Sequence, residues 1–354
     1  MKAILHSLTT RLPSPRPLLR AALSLPKPIT TSSDLFRQCG CTDSEISIIF
    51  HRQPSLLKSD LQTLESKLAL LKGLGLSGSD LVKIINCRPR FLATRIGRGL
   101  DDRIKFLEPL FGSRQTLLKA IIRNPSLLNY DLNNHIKRTV SLYESLGVGR
   151  EDLVPLLLSR PTLIPRSSIN DEKLEYIRRA GLAPDAKMYK YVVAIMAISR
   201  IETIREKVAN LERFGFSNDE VMGLFGRSPL VLTLSVDKVQ RNMTFVIGTM
   251  KLAARIVLVY PFLLYYNLET VLRPRFMVAE RIRLMGLAPQ IKGPALLRAL
   301  RMTESRFVKV YVQCHGDEKD DGVGKELMQF YVNAKRFKRL AVASKKPVHR
   351  GFPF

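Results

Sequence analysis

Two residue markers recur along this chain with a shared period of about 35 residues. The first marker is a proline with bulky apolar residues after it. These prolines are Pro54, Pro89, Pro125, Pro161, Pro229 and Pro261. The second marker is a glycine between apolar residues, 13 or 14 positions ahead of each proline. These glycines are Gly40, Gly75, Gly112, Gly147, Gly215 and Gly248. Two markers that keep one phase over most of a chain predict a solenoid of small helical units.

One interval between prolines, of 68 residues, is about twice the usual step. Gly181 lies inside this interval at the expected phase, and it predicts that Ile195 stands where a proline is missing. Gly286 begins a further unit near the C-terminus. We therefore predict an all-α solenoid or superhelix of about eight two-helix repeats of roughly 35 residues that share one continuous core.

Each repeat is predicted to contain a helix A, a glycine turn and a helix B that ends at the proline. In helix A the apolar residues fall at helical spacing, as at Leu64, Leu68 and Leu71. The glycine supplies the left-handed backbone that commonly ends a helix. Helix B begins at a capping box in some repeats, for example Thr42 with Glu45. The proline ends helix B because its ring disfavours helical backbone at the preceding residue.

The chain is strongly basic. Its 57 Lys and Arg residues outnumber 31 Asp and Glu residues, which gives a formal net charge of +26 and a pI near 10.2. A charge of this size favours a polyanionic partner, with nucleic acid first and an anionic membrane surface second. It bears on the partner and not on the fold.

The N-terminal segment has the composition of a targeting sequence. Residues 1–33 contain five basic residues, several Ser and Thr, and no acidic residue. Such segments are typical of organellar transit peptides, and the alternative is a basic arm that binds nucleic acid directly. We predict three segments: a disordered transit peptide over 1–33, a helical-repeat nucleic-acid-binding domain over 34–315, and a polar loop with a basic C-terminal tail over 316–354.

Several patterns that resemble chemical sites are better explained without one. The four cysteines form neither a disulfide framework nor a CxxC pair, which indicates a reducing compartment. Gly73, Gly75 and Gly78 match a dinucleotide fingerprint, but a helix-period run precedes them where the motif needs a strand. The stretch 317–328 has a lysine and a methionine at two ligand positions of a calcium loop. The histidines form no HExxH motif or triad, so we predict no catalysis, no metal and no cofactor. The apolar runs are also too short for a membrane span, which needs roughly 20 residues.

A basic residue stands one or two positions ahead of most of the repeat prolines. These residues are Arg52, Arg88, Arg123, Arg160 and Arg227. A cation at a helix C-terminus is stabilised by the helix dipole, by roughly 0.3–1 kcal/mol, and this structural explanation is sufficient by itself. Because one phase of a solenoid forms one edge, the same arginines could also form a row that follows a phosphate backbone.

Further basic residues and a group of aromatic residues lie on or near helix A of the later repeats. The basic residues that we add to the candidate nucleic-acid contacts are Lys238, Arg241, Arg273 and Arg275. The aromatic residues are Tyr260, Phe262, Tyr265 and Tyr266. Core packing is the first interpretation of the aromatic residues, and stacking on nucleobases is the alternative.

The paired glycine and proline markers, with units of the form LGL-turn, helix and "RPxLL" behind a transit-like segment, resemble the mitochondrial transcription termination factor family in its plant form. The resemblance covers about residues 34–315. It implies a superhelix curved into a half-ring whose basic groove holds nucleic acid, and a role in organellar transcription, its termination, RNA processing or intron splicing. Tyr260 ahead of Pro261 and the missing proline at Ile195 depart from the family pattern.

We predict a non-enzymatic, organelle-targeted protein that binds organellar double-stranded DNA or RNA, as a monomer, and regulates organellar gene expression. No small-molecule substrate and no membrane span are expected. The arginines of the N-terminal segment favour the mitochondrion, with the chloroplast as the alternative. The competing interpretation is a protein-binding scaffold within an organellar gene-expression complex, since helical repeats also present extended surfaces to polypeptides.

Overall fold

The computed structural model describes residues 29–94, 96–97, 99–160, 162–315 and 322–343, with the backbone alone over 336–343. The predicted transit peptide up to residue 28, Pro161 and the end of the tail lie outside the described residues. The described chain is helical throughout and contains no strand, which confirms the all-α fold. Its contacts define two compact units, residues up to 98 with 121–129, and residues 99–120 with 130 onward. The half-ring shape and the number of repeats stay predictions.

The first unit contains two complete helix pairs. Its helices are α1 (Ser32–Gln38), α2 (Asp43–Arg52), α3 (Leu61–Gly73), α4 (Gly78–Cys87) and α5 (Pro89–Ala93). Short 3₁₀ turns lie at Pro54–Lys58 and Pro125–Leu128. Helix α1 with α2, and α3 with α4, are helix A and helix B of successive repeats. The proline therefore does more than end helix B, because it occupies the first position of a short third helix, where its missing N–H is tolerated.

The second unit continues the same alternation. Its helices are α6 (Leu100–Phe111), the start of α7 (Arg114–Arg123), α8 (Arg138–Ser145), α9 (Arg150–Ser159), α10 (Leu163–Arg166), α11 (Asp171–Arg179), α12 (Tyr189–Ile198), α13 (Ile201–Glu212), α14 (Asn218–Arg227), α15 (Val236–Thr244), α16 (Ile256–Val259), α17 (Phe262–Tyr265), α18 (Arg273–Leu284), α19 (Pro294–Arg301), α20 (Glu304–Tyr311) and α21 (Gly322–Ala343). π-Helical turns at Leu132–Lys137, Phe245–Thr249 and Leu268–Leu272 join α8, α15 and α18, respectively. No helix in the described part of the chain is long and apolar enough to cross a bilayer.

The glycine turns are as predicted in all repeats but one. Gly40, Gly75, Gly112, Gly147, Gly181, Gly215 and Gly286 all have positive φ. Gly248 does not, because the chain continues through it as the π-helical turn Phe245–Thr249. The left-handed residue is instead Lys251, with φ of 56°. The prediction of a turn at Gly248 is therefore wrong, and helix B of this repeat is reduced to the four residues of α16.

The repeat without a proline also differs in structure. Ile195 is 2% exposed and lies inside α12, which continues to Ile198. No short third helix follows, and α13 begins directly at Ile201. The absence of the proline thus coincides with the absence of the element that it would begin.

In several repeats a polar residue on helix A is hydrogen-bonded to the end of the same repeat. It donates a hydrogen bond to a backbone carbonyl 24 or 25 residues later, near the end of the same repeat. The donor and acceptor pairs are Ser32 with Leu56, Lys67 with Leu92, Thr139 with Ile164, Lys173 with Ala197, Lys207 with Leu232 and Arg275 with Leu300. We call these six residues the repeat-closing donors. Burial lowers the pKa of the three lysines among them.

The C-terminal helix was not expected from the sequence. The stretch predicted as a polar loop and basic tail contains the 22-residue helix α21. Its apolar face is buried, with Leu327 at 0% and Tyr331 at 1% exposure, and it packs on α18. Tyr331 donates a hydrogen bond to Glu304 at 2.9 Å. Helix α21 therefore belongs to the second unit.

Helix α14 passes very close to the end of α11 at Gly226. A Cβ at this position would lie 2.2 Å from the carbonyl oxygen of Ala180, which is backbone and cannot rotate away. Gly226→Ala should therefore destabilise the protein by about 3 kcal/mol, since overpacking typically costs 1–3 kcal/mol and backbone cannot give way cheaply. Urea unfolding followed by circular dichroism measures the change.

Gly223, on the same helix, provides the matched control. A Cβ there would lie 3.4 Å from the Arg227 guanidinium, which is the flexible end of an exposed side chain. Gly223→Ala should be neutral or stabilising by about 0.5–1 kcal/mol, because alanine is the better helix former. Equal stability of the two variants would show that the close approach of α14 and α11 does not exist.

Candidate nucleic-acid interface

The pre-proline arginines of the first unit lie at helix ends on the surface. Arg88 is the C-terminal cap of α4 and is exposed. Arg123 is the last residue of α7 and is also exposed. The Arg52 guanidinium donates to the carbonyl of Asn86 at 3.1 Å, in the last turn of the next helix B. Arg52 therefore stabilises a helix end across a repeat boundary, as the electrostatic explanation requires.

The pre-proline arginines of the second unit differ from one another. Arg227 is exposed, and its guanidinium donates to the carbonyl of Leu258 at 3.3 Å, again one repeat further on. Arg160 is half-buried at the end of α9. Burial raises the pKa of the nearby Tyr143 to about 12, and the positive charge of Arg160 partly offsets this rise. Of the two, Arg227 is the one whose exposure suits a phosphate contact.

Three of the helix A cations are already engaged within the protein. Lys238 is half-buried and donates to the carbonyl of Tyr265, and burial lowers its pKa. Arg241 is exposed but forms an ion pair with Asp237 at 3.2 Å. Arg273 forms an ion pair with Glu269 at 3.1 Å, and its guanidinium lies 5.4 Å from the centre of the Phe245 ring. The two ion pairs offset the charges of Arg241 and Arg273, and the hydrogen bond of Lys238 holds its ammonium group against the protein backbone.

Arg275 is not a surface residue. Its side chain is only 3% exposed. One guanidinium nitrogen donates to the carbonyls of Ala299, Leu300 and Met302 at 3.2, 2.9 and 2.6 Å, and the other lies 3.5 Å from Glu304. A phosphate cannot reach this group, so the assignment of Arg275 as a nucleic-acid contact is corrected: Arg275 is a repeat-closing donor. Charge alone could not distinguish the two roles.

A cluster of exposed cations lies further along the chain, where we had not placed candidate residues. Its members, which we call the C-terminal basic cluster, are Lys292, Arg298, Arg301, Arg306 and Lys309. None of the five forms an ion pair within the described residues. The acid in this stretch, Glu304, instead contacts Arg275, Tyr331 and Lys335. The sequence signal was the run without acidic residues between Glu280 and Glu304.

The C-terminal basic cluster adjoins a groove with aromatic walls. The groove has a volume of about 190 Å³. It is lined by Tyr260, Phe262, Pro294, Leu297, Arg298 and Arg301. The centres of the Tyr260 and Phe262 rings are 6.2 Å apart, with the ring planes at 78°. We call this feature the aromatic groove.

The four aromatic residues singled out in the sequence thus have different roles. Tyr265 donates its hydroxyl to the carbonyl of Ser228 at 3.1 Å, and burial raises its pKa. The Tyr266 hydroxyl lies 3.5 Å from the carbonyl of Arg301. Tyr265 is half-buried and held by its hydrogen bond inside the protein, whereas Tyr260 and Phe262 line the groove. Among the described residues no group of three or more His, Cys, Asp and Glu side chains could hold a metal ion.

Comparison with known proteins identifies the family. The model of the mTERF family matches residues 34–110 and 95–308, which is most of the chain. The chain belongs to the mTERF family. The family resemblance seen in the glycine and proline markers is therefore confirmed, and the repeats that carry the candidate contacts are mTERF repeats.

Curated mTERF proteins from plants and an insect are similar to this chain at low identity. One is "Transcription termination factor MTERF8, chloroplastic" of Arabidopsis thaliana, 19% identical over 295 residues, or 80% of this chain and 51% of that protein. Another is "Transcription termination factor MTERF15, mitochondrial" of the same plant, 23% identical over 62% of this chain and 49% of that protein. A third is "Transcription termination factor 3, mitochondrial" of Drosophila melanogaster, 25% identical over 42% of each chain. This mTERF chain spans about half the length of these relatives or less.

Proposed function

We propose that this mTERF protein binds organellar nucleic acid and regulates the expression of organellar genes. The finer roles included in the proposal are transcription termination on double-stranded DNA, RNA processing and intron splicing. The proposal is supported by family membership and by the names of the similar proteins, which are transcription termination factors of mitochondria or chloroplasts. We propose that the protein acts as a monomer in the mitochondrion, with the chloroplast as the alternative.

The observation that carries the proposal is the C-terminal basic cluster. Its five cations are exposed, and no acidic side chain pairs with them in the described part of the chain. Like charges at this density repel one another, and a polyanion with regularly spaced phosphates removes that repulsion and releases its own counterions. The remaining candidate contacts are Arg88 and Arg123 in the first unit and Arg227 in the second.

Binding should weaken steeply as salt is raised. If the protein contacts about 6–10 phosphates, the association constant should fall on the order of 10³–10⁵-fold between 50 and 200 mM salt. Fluorescence anisotropy with a labelled DNA duplex and with RNA of the same sequence measures this dependence. A flat dependence with both probes, or no binding to either, would overturn the proposed mechanism. Crosslinking in the isolated organelle, followed by sequencing of bound nucleic acid, then identifies the target.

A further inference from the structure

We propose that the aromatic groove binds one unpaired nucleobase of a single-stranded nucleic acid, while Arg298 and Arg301 contact its phosphates. This inference rests on the proposed nucleic-acid binding and adds the form of the ligand. It assigns a specific task to Tyr260 and Phe262, two half-buried aromatic side chains that line the groove.

The groove combines the two surfaces that a nucleotide requires. Tyr260 and Phe262 contribute aromatic rings, and Pro294 and Leu297 contribute aliphatic surface. Bases stack well on such rings because every base has an aromatic face. Tyr260 is half-buried, and no hydrogen bond to its hydroxyl group occurs within the described residues. That hydroxyl is therefore available to a ligand.

The cations of the groove complement a phosphate. Arg298 and Arg301 lie three residues apart on α19, so their side chains share one face of the helix. Both are exposed, and neither has an acidic partner among the described residues. Arginine suits this role because its planar guanidinium can donate two parallel hydrogen bonds to a phosphate. The same lining thus offers stacking and charge.

The size of the groove favours an unpaired base. Its volume of about 190 Å³ is sufficient for a single planar ring system. A base within a duplex has both faces covered by its neighbours, and it would have to leave the stack to reach Tyr260. A single strand presents bases whose faces are accessible without that cost. The groove should therefore prefer single-stranded segments over continuous duplex.

A comparison of the repeats also supports this assignment. Tyr260 stands directly ahead of its proline and caps the C-terminus of α16. Arg88 and Arg160 occupy the same phase in two other repeats. The corresponding residues of the remaining repeats are Gln53, Asn124 and Ser228. This repeat therefore has an aromatic ring at a position that is polar or charged in the others, and Arg298 and Arg301 of the C-terminal basic cluster line the same groove.

Substitution of the groove residues tests the proposal. Tyr260→Leu and Arg298→Gln should each weaken binding of a short single strand, the first by roughly 5- to 100-fold because one stacking contact is lost. Tyr260→Leu should change binding of a blunt duplex of the same sequence by less than about twofold, since no base there can enter the groove. Arg298→Gln should weaken duplex binding as well, because it removes a phosphate contact that both ligands use. The two substitutions act on different walls, so a folding defect in one does not remove the test. Circular dichroism and urea unfolding establish that each variant is folded.

Two control variants and a fluorescent base complete the experiment. Tyr191→Leu removes an aromatic residue that is 37% exposed outside the groove, and Arg213→Gln removes an exposed cation there. A 2-aminopurine base within the strand should be quenched on binding to the wild-type protein and not to Tyr260→Leu. Because the chain has no tryptophan, protein emission does not obscure this signal. RNA and DNA strands as separate probes show which sugar the site accepts.

The outcomes separate this inference from the proposed function. Equal single-strand affinity and equal quenching for wild type and Tyr260→Leu would overturn the groove inference while nucleic-acid binding itself stands. Equal weakening of single-strand and duplex binding by Tyr260→Leu would also overturn it, because the groove would then not select unpaired bases. Absence of binding to any probe would overturn the proposed function as well. Crosslinks from the groove to a protein instead of nucleic acid in the organelle would show a different occupant.

Discussion

Arg275→Met should lower the free energy of unfolding of the second unit by about 3–5 kcal/mol, because removal of one member of a buried charged network leaves its partners unsatisfied. The guanidinium donates to three backbone carbonyls and approaches Glu304 at 3.5 Å. Hydrogen bonds from charged donors are worth about 1.5–3 kcal/mol each in favourable cases, and methionine can replace none of them. It does fill most of the same volume, so the loss reports hydrogen bonding more than packing.

Arg283→Met on the same helix is the control for this prediction. Arg283 is 57% exposed and pairs with Glu280 three residues away, an arrangement that contributes about 0–1 kcal/mol. Urea unfolding followed by circular dichroism should therefore separate the two variants by at least about 2 kcal/mol. Nucleic-acid affinity, measured well below the unfolding midpoint, should be unchanged in Arg275→Met. If Arg275→Met weakened nucleic-acid binding without changing stability, Arg275 would be a nucleic-acid contact and not a structural residue.

The fold could be predicted from the sequence because its strongest determinants are local. A left-handed glycine and a helix-ending proline act within a few residues of themselves, so their spacing predicts the helices before any tertiary contact is known. The capping box of Thr42 and Glu45 forms as expected, for the same reason. The turn at Gly248 was wrong because a π-helical segment, which has no clear sequence signature, carries helix A past the glycine.

The candidate contacts were harder to predict because charge alone does not reveal exposure. Arg275 and Arg298 are both arginines in a basic stretch, yet one is 3% exposed and the other lies on the surface. The difference depends on a carbonyl about 25 residues away, which a local pattern does not contain. A signal was present nevertheless, since the repeat-closing donors recur with the repeat period on the apolar face of helix A. A polar residue on such a face is better assigned to the interior.

The structure also shows why the net charge overstates the basic surface. Across the repeats, several arginines form ion pairs with acids of the neighbouring helices, as Arg205 does with Glu172 at 2.5 Å and Arg255 with Glu220 at 2.8 Å. Exposed ion pairs of this kind add little stability. They do offset the positive charge of these arginines, which leaves fewer cations available to contact phosphates. Exposed cations without an ion pair among the described residues occur along the second unit, and five of them lie close together in sequence, between Lys292 and Lys309.

A variant with four substitutions in this region should lose most of its affinity for nucleic acid. Replacement of Arg298, Arg301, Arg306 and Lys309 by glutamine removes up to four phosphate contacts, and each contact adds about 0.9 to the slope of log K against log salt for duplex DNA. The slope should become shallower by about 3–4, and the affinity at 100 mM salt should fall on the order of 10³-fold. Fluorescence anisotropy over a range of salt concentrations measures both quantities.

The matched control removes the same formal charge elsewhere. Replacement of Arg178, Arg205, Arg255 and Arg283 by glutamine also subtracts four positive charges from the second unit, but each of these arginines is paired with an acid. If the protein binds a polyanion only through its overall charge, the two variants should lose affinity equally. If the unpaired cations make the contacts, the control should keep a slope near that of the wild type and lose less than about tenfold. Equal loss of affinity in the two variants would show that the C-terminal basic cluster makes no specific phosphate contacts. Binding would then be explained by the overall positive charge of the protein.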